Sequence, residues 1–197
     1  MGVMASPLAA EMEVGAYAHD FEVWMRSEQK RVFLLCYRLL GERDEADTAT
    51  QEVFLKAFRA LSRPGTQPEN PDRWLTRVTV NACLDRLRSR RWQFWRKRPN
   101  QDDEAIILAQ TASSAPTAED EIFAREIAVQ LTEALGKLSS RQRSVFVLKH
   151  YEDRSLDEIA AILKVEVGTV KAHMARAVAK LRLELRDLYG RQTLERR

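Results

Sequence analysis

Long apolar runs are missing from this chain of 197 residues: none approaches the ~20 residues that a membrane-spanning helix needs. A secretory leader is missing too. The first 25 residues hold Glu11, Glu13, Asp20 and Glu22 but no lysine or arginine, the reverse of a leader's basic start. A cytoplasmic protein is expected. Cysteine and histidine are scarce, two and three residues respectively, and scattered. Such spacing builds no metal site. Cys36 and Cys83 fall on apolar faces of predicted helices and are expected as reduced core thiols rather than a disulfide. No glycine-rich phosphate loop, nucleophile elbow or pair of catalytic carboxylates occurs, and His19, His150 and His173 stand alone. The expectation is a protein that is not an enzyme and uses no cofactor. Strand-period segments and internal repeats are also absent, which points to an all-α chain.

What the chain has is charge in blocks. Net charge is only +3, but Arg73–Arg98 carries nine basic residues against Asp85, and Asp102–Glu126 carries seven acids against Arg125. A basic block is an electrostatic footprint for phosphates. The stretch from Ser155 to Leu183 reads as a helix-turn-helix. Ser155 and Glu158 can form a capping box. Leu156, Ile159, Ala160 and Leu163 make one apolar stripe. Lys164 to Val167 is a break, and Val170, Met174, Ala177, Val178 and Leu181 start a second stripe. Lys171, His173, Arg176 and Lys180 fall mainly off that stripe. A helix presented in this way fits the major groove; a helical hairpin with a solvated basic face has the same pattern. Lys164 sits where a left-handed residue closes the turn.

Two small helical domains joined by a flexible acidic linker are expected. Residues 1–18 are Ala-rich and irregular. Residues 19–98 make a first domain, with helices over about 20–40, ending at Gly41, about 45–61, capped by Asp44, and from near Asp72 to Trp92 or beyond. The inward residues are Phe21, Trp24, Val32, Leu35, Cys36 and Leu39, then Ala46, Ala49, Val53, Phe54, Ala57, Phe58 and Leu61, then Trp74, Leu75, Val78, Ala82 and Leu87. Residues 62–71 form a proline-rich loop. Residues 99–118 have linker composition, interrupted by Ile106, Ile107 and Leu108. The helix-turn-helix domain spans 119–190, with Ile122, Ile127, Leu131, Leu135, Val145, Phe146 and Leu148 inward, and 191–197 is a tail.

The third helix places Arg73, Arg77, Asn81, Arg88 and Arg91 near one face. It runs into RSRRWQFWRKR (88–98), where Trp92, Phe94 and Trp95 interleave with cations. Aromatics and arginine planes stack on unpaired bases, although the same rings could pack in the core. On the second helix Asp47, Gln51 and Glu52 share a polar side. Acids there complement the helix dipole, and the same side would also serve as a docking face.

The motifs ADTATQEVFLKAFRAL (46–61), WLTRVTVNACLDRLRSRRW (74–92) and LSSRQRSVFVLKHYEDRSLDEIAAILKVEVGTVKAHMARA (138–177), in this order, resemble a bacterial RNA polymerase sigma factor of the extracytoplasmic-function (ECF) type. The resemblance implies a protein that binds core polymerase and reads promoter DNA, restrained by a separate anti-sigma factor. It implies polymerase contact at Asp47, Gln51 and Glu52. Minus-ten DNA would meet Arg73, Arg77, Asn81, Arg88 and Arg91, with a flipped base held by loop 62–71. Minus-thirty-five DNA would meet Lys149, Thr169, Lys171, His173 and Arg176. The acidic linker would thread the polymerase's nucleic-acid channel. The chain departs from the pattern at Thr48, where an acid is usual, at Lys164, where glycine is usual, and at Ala172 and His173. The TVKAHM string also resembles a LuxR-type regulator's helix-turn-helix, an alternative that would need a sensor or receiver domain with strands.

Overall fold

The structure, a computed structural model, describes residues 7–62, 68–89 and 118–186. Seven helices and no strand occur among the described residues: α1 (Pro7–Leu40), α2 (Arg43–Leu61), α3 (Pro71–Arg88), α4 (Ala118–Lys137), α5 (Ser140–His150), α6 (Leu156–Leu163) and α7 (Val167–Glu184). The all-α expectation holds. Its two helical units are α1–α3 and α4–α7.

In the first unit the three helices pack pairwise. Val32, Leu35, Cys36 and Leu39 of α1 meet Ala46, Ala49, Val53, Phe54 and Ala57 of α2, and Leu75, Val80, Ala82, Cys83 and Leu84 of α3. The alanines of α2 let its backbone approach closely. Leu35, Leu75 and Val80 are wholly buried, each contributing roughly 1.5–3 kcal/mol by leaving water. Both cysteines are free thiols inside this core, and the Cys83 thiol is pushed up by its hydrogen bond with Cys36 and by burial.

Helix ends follow local chemistry. Gly41 stops α1 at φ +80, and its N–H reaches Tyr37 C=O at 2.8 Å. At α3, Asn70 caps by accepting from the Arg73 N–H at 2.9 Å, with Pro71 in the first turn. Ser139 with Gln142, and Ser155 with Glu158, form full capping boxes. Four expectations change. The Ala-rich segment extends α1 back to Pro7, because Ala, Leu, Met and Glu favour helix. The N-cap of α2 is Glu42 without a side-chain bond, and Asp44 lies in the first turn. Helix α3 stops at Arg88 because Ser89 turns extended. Phe58 is 44% exposed rather than inward. Loop residues 63–67, the aromatics at 92–95 and linker residues 99–117 lie outside the described residues.

Helix α6 ends at Lys164 with φ 54 and ψ 53, in the left-handed region. The N–H groups of Lys164 and Val165 both return to Ala160 C=O, closing the turn. A lysine there costs about 1–2 kcal/mol that glycine avoids, partly offset by glycine's greater freedom in the unfolded chain. Lys164→Gly is therefore expected to raise the thermal midpoint slightly or leave it unchanged. A clear drop in thermal unfolding would mean that the lysine side chain stabilises the turn.

Candidate nucleic-acid and polymerase interfaces

Helix α3 is anchored by Leu75, Thr76, Thr79, Val80, Ala82, Cys83 and Leu84, all buried. The opposite side carries Arg73 and Arg77, exposed, and Asn81, half-buried. Spacings of four put these three on one face. Arg88 is exposed and pairs with Asp85 at 3.3 Å, a solvent-screened contact of little weight. Arg91 lies outside the described residues. Not every guanidinium of the basic block is free for phosphate: Arg86 turns back to bind Glu45 and, at 2.8 Å, Glu52. These acids outweigh its partial burial and raise its pKa.

The helix-turn-helix packs α6 under α7, with α5 against both. Ile159, Ile162 and Leu163 meet Val170, Ala177 and Leu181. Ile162 is buried with Ile159, Ala160 and Leu163, widening the apolar stripe of α6 beyond the four residues expected. Arg141 of α5 donates to Leu163 C=O at 3.0 Å, holding the end of α6 where the chain turns into α7. Outward, Thr169, His173 and Arg176 stand at spacings of four and three, in one row along an edge of α7. Lys171 stands on the other edge, about half a turn away. Between the edges lie Ala172, Ala175 and Ala179, all exposed. Lys149, at the end of α5, is exposed as well. Lys180 is committed elsewhere: its Nζ donates to Lys137 C=O at 2.6 Å, and Lys137 pairs with Glu184. His173 is half-buried with Nδ1 turned inward and unpartnered. Burial, then the charges of Arg176 and Arg141, lower its pKa, which favours the neutral imidazole in the free protein.

A third surface runs along α2. Asp47, Gln51, Leu55 and Phe58 are all exposed, at spacings of four, four and three. Leu55 is 55% exposed, and the Phe58 ring meets Phe21 edge-on at 5.2 Å. Val23 of α1 is another exposed apolar side chain. Glu52 is partly engaged by Arg86. The sequence reading caught the polar half of this strip and missed its apolar half. Leu55 breaks the helical stripe of α2, which was the available signal.

Comparison with known proteins gives the same division. Residues 24–93 match the family model described as Sigma-70 region 2, and residues 128–181 match Sigma-70, region 4. The chain is 31% identical over 159 residues to the ECF RNA polymerase sigma factor SigW of Bacillus subtilis, covering 80% of this chain and 84% of that one. It is 31% identical over 181 residues to the RNA polymerase sigma-E factor of Streptomyces coelicolor, covering 90% and 93%. Among solved structures it resembles the sigma factor RpoE crystallised with the anti-sigma factor NepR from Bartonella quintana, with a TM-score of 0.60, 20% identity and coverage of 85% and 97%. It also resembles CnrH in complex with the cytosolic domain of CnrY, with a TM-score of 0.58, 24% identity and coverage of 86% and 90%.

Proposed function

This chain belongs to the ECF branch of the sigma-70 family of RNA polymerase sigma factors, and from that premise we propose how its three surfaces share the work of starting transcription. As a sigma factor it binds core RNA polymerase and directs it to promoters. The carrying observation is that the region 2 match and the region 4 match fall in order on the two helical units. The LuxR-type alternative is not favoured, because the unit before the helix-turn-helix is helical and matches region 2.

In the proposed division of labour, α2 docks on polymerase through Asp47, Gln51 and Glu52, with Leu55 and Phe58 supplying the apolar part. Arg73, Arg77, Asn81, Arg88 and Arg91 meet minus-ten DNA. Lys149, Thr169, Lys171, His173 and Arg176 meet minus-thirty-five DNA. The protein acts by positioning rather than by catalysis, in the cytoplasm where polymerase works, and a separate anti-sigma protein restrains it. The acidic linker threads the polymerase's nucleic-acid channel. Transcription in vitro from a cognate promoter with purified core polymerase tests the central reading; no promoter-specific product would sink it.

Base contacts specify and phosphate contacts position. Arg176, in the outward row of α7, is assigned to a base edge, and Lys149, at the end of α5, to phosphate. Arg176→Ala should cost roughly 1–3 kcal/mol and blur preference at one or two base pairs. Lys149→Ala should weaken all sequences about equally. Binding of promoter variants by fluorescence anisotropy checks this; uniform losses in both mutants would reverse the assignment of Arg176.

A further inference from the structure

The basic block of the sequence contains an arginine that faces away from Arg73 and Arg77. Arg86 of α3 lies five residues beyond Asn81, about 140° round the helix, and so leaves the face that carries those three. Its guanidinium turns to α2 instead. Nε donates to Glu45 Oε2, and Nη1 donates to Glu52 Oε2 at 2.8 Å. Glu45 and Glu52 stand about two helical turns apart and so share one side of α2. Ala49, between them, is wholly buried. The two carboxylates therefore flank the seam between α2 and α3, and one guanidinium spans them from across it.

This fork does more for orientation than for stability. The Arg86 side chain is 21% exposed and that of Glu52 47%. Ion pairs this open to solvent hold a fold together only weakly. Burial opposes the charge of Arg86, but the two carboxylates more than offset it. A planar guanidinium fixes direction as well as distance, which a lysine ammonium on its flexible stem does not. With Nε held by Glu45, Nη1 is aimed at Glu52 and settles which way that carboxylate lies. Arg86 takes Oε2 of Glu52, and the half-exposed carboxylate keeps Oε1 for a donor from outside.

Glu52 is one of the three α2 residues assigned to polymerase above. A free glutamate side chain samples several rotamers and loses that freedom on docking, a cost that pre-ordering removes from the binding step. The positive charge of Arg86 also weakens the pull of Glu52 on a basic partner. That opposing effect is screened by water and salt at so exposed a site, whereas orientation counts in full once docking excludes water. Pre-ordering is the larger effect.

We propose that Arg86 is a positioning residue for polymerase docking: reaching from α3, and braced by Glu45, it fixes the Glu52 carboxylate so that Glu52 meets core polymerase already oriented. The proposal rests on the assignment of Glu52 to the polymerase contact. It removes Arg86 from the cations that meet promoter phosphate, although its place in the basic block suggests that role.

A double-mutant cycle on the full chain tests it. Affinity for purified core polymerase is read by fluorescence anisotropy of the labelled chain, and circular dichroism confirms that each variant keeps its helices. Arg86→Ala should weaken binding about fivefold. The same substitution in a Glu52→Ala background should change it by less than about twofold, because the group that Arg86 positions is gone. Arg86→Lys keeps the charge and loses the fork, and should bind about threefold more weakly than the wild type. In holoenzyme assembled at saturating polymerase, the salt dependence of binding to a single-stranded minus-ten oligonucleotide should be the same for Arg86→Ala and wild type. Equal losses in both backgrounds, a lysine variant that binds like wild type, or a Glu52→Ala chain that binds like wild type would each overturn the positioning role while leaving the sigma-factor reading intact. A salt slope smaller by about 0.7 in Arg86→Ala would assign the residue to phosphate instead. A wild type that binds no core polymerase would remove the sigma-factor reading, and this proposal with it.

Discussion

Replacing Arg143 by methionine is expected to destabilise the protein by about 3–5 kcal/mol, the range for losing two hydrogen bonds from a charged donor. The side chain is 3% exposed. Its Nη1 donates to Leu39 C=O at 2.8 Å and its Nη2 to Gly136 C=O at 2.7 Å. Both carbonyls lie in the last turn of a helix, Leu39 in α1 and Gly136 in α4, where backbone acceptors lack intrahelical donors and the dipole is negative. One guanidinium thus answers two helix ends, one in each unit. Hydrogen bonds from a charged donor contribute about 1.5–3 kcal/mol each. Methionine keeps the stem's apolar bulk and loses both bonds, leaving a buried carbonyl at Leu39 and a half-buried one at Gly136. For a chain of this length the thermal midpoint should fall by roughly 10 °C. Thermal unfolding followed by circular dichroism reads the change, and a loss below about 1 kcal/mol would mean that water or a neighbour satisfies the carbonyls as well.

The second large effect concerns activity without stability. Leu55→Glu combined with Phe58→Glu should abolish transcription while moving the thermal midpoint little. Both side chains are largely exposed in the free chain, so the fold gains little from them, apart from the edge contact of Phe58 with Phe21. In the docked complex proposed above they would be desolvated along the C-terminal half of the α2 strip. Apolar anchors in such positions cost roughly 2–4 kcal/mol when lost, and a buried carboxylate adds a penalty of its own. Affinity for core polymerase should fall at least about 30-fold, measured by titration in a transcription or fluorescence assay. Binding within about threefold of wild type would place the polymerase contact on another face.

Much of this was written in local patterns. Stripes at helical spacing located the helices, because burial of one face fixes the period. Ser155 with Glu158 announced the start of α6, and Gly41 the end of α1, because caps are local chemistry. Even the left-handed residue at Lys164 could be anticipated, since the turn requires it whatever side chain stands there. Other features were hidden because they depend on distant partners. Nothing near Arg86 in sequence signals Glu45 and Glu52, which remove it from the phosphate-binding set. Nothing near Arg31 or Arg38 in sequence signals Glu152 and Tyr151, which meet them from the chain between α5 and α6. Phe58 fits the apolar period of α2, but the core ends before reaching it.

The strip of alanines along the outer side of α7 bears on how this protein can change over generations. Ala172, Ala175 and Ala179 are exposed, so larger side chains there meet open space. Surface substitutions of this kind usually alter stability by less than about 0.5 kcal/mol. The residues that hold α7 in place, Val170, Ala177 and Leu181, lie on its other side. If α7 reads bases as proposed above, new base-reading groups can be added or lost at the alanine positions while the anchor is untouched. On that reading promoter preference can drift, or be redesigned, along a path that foldability does not obstruct.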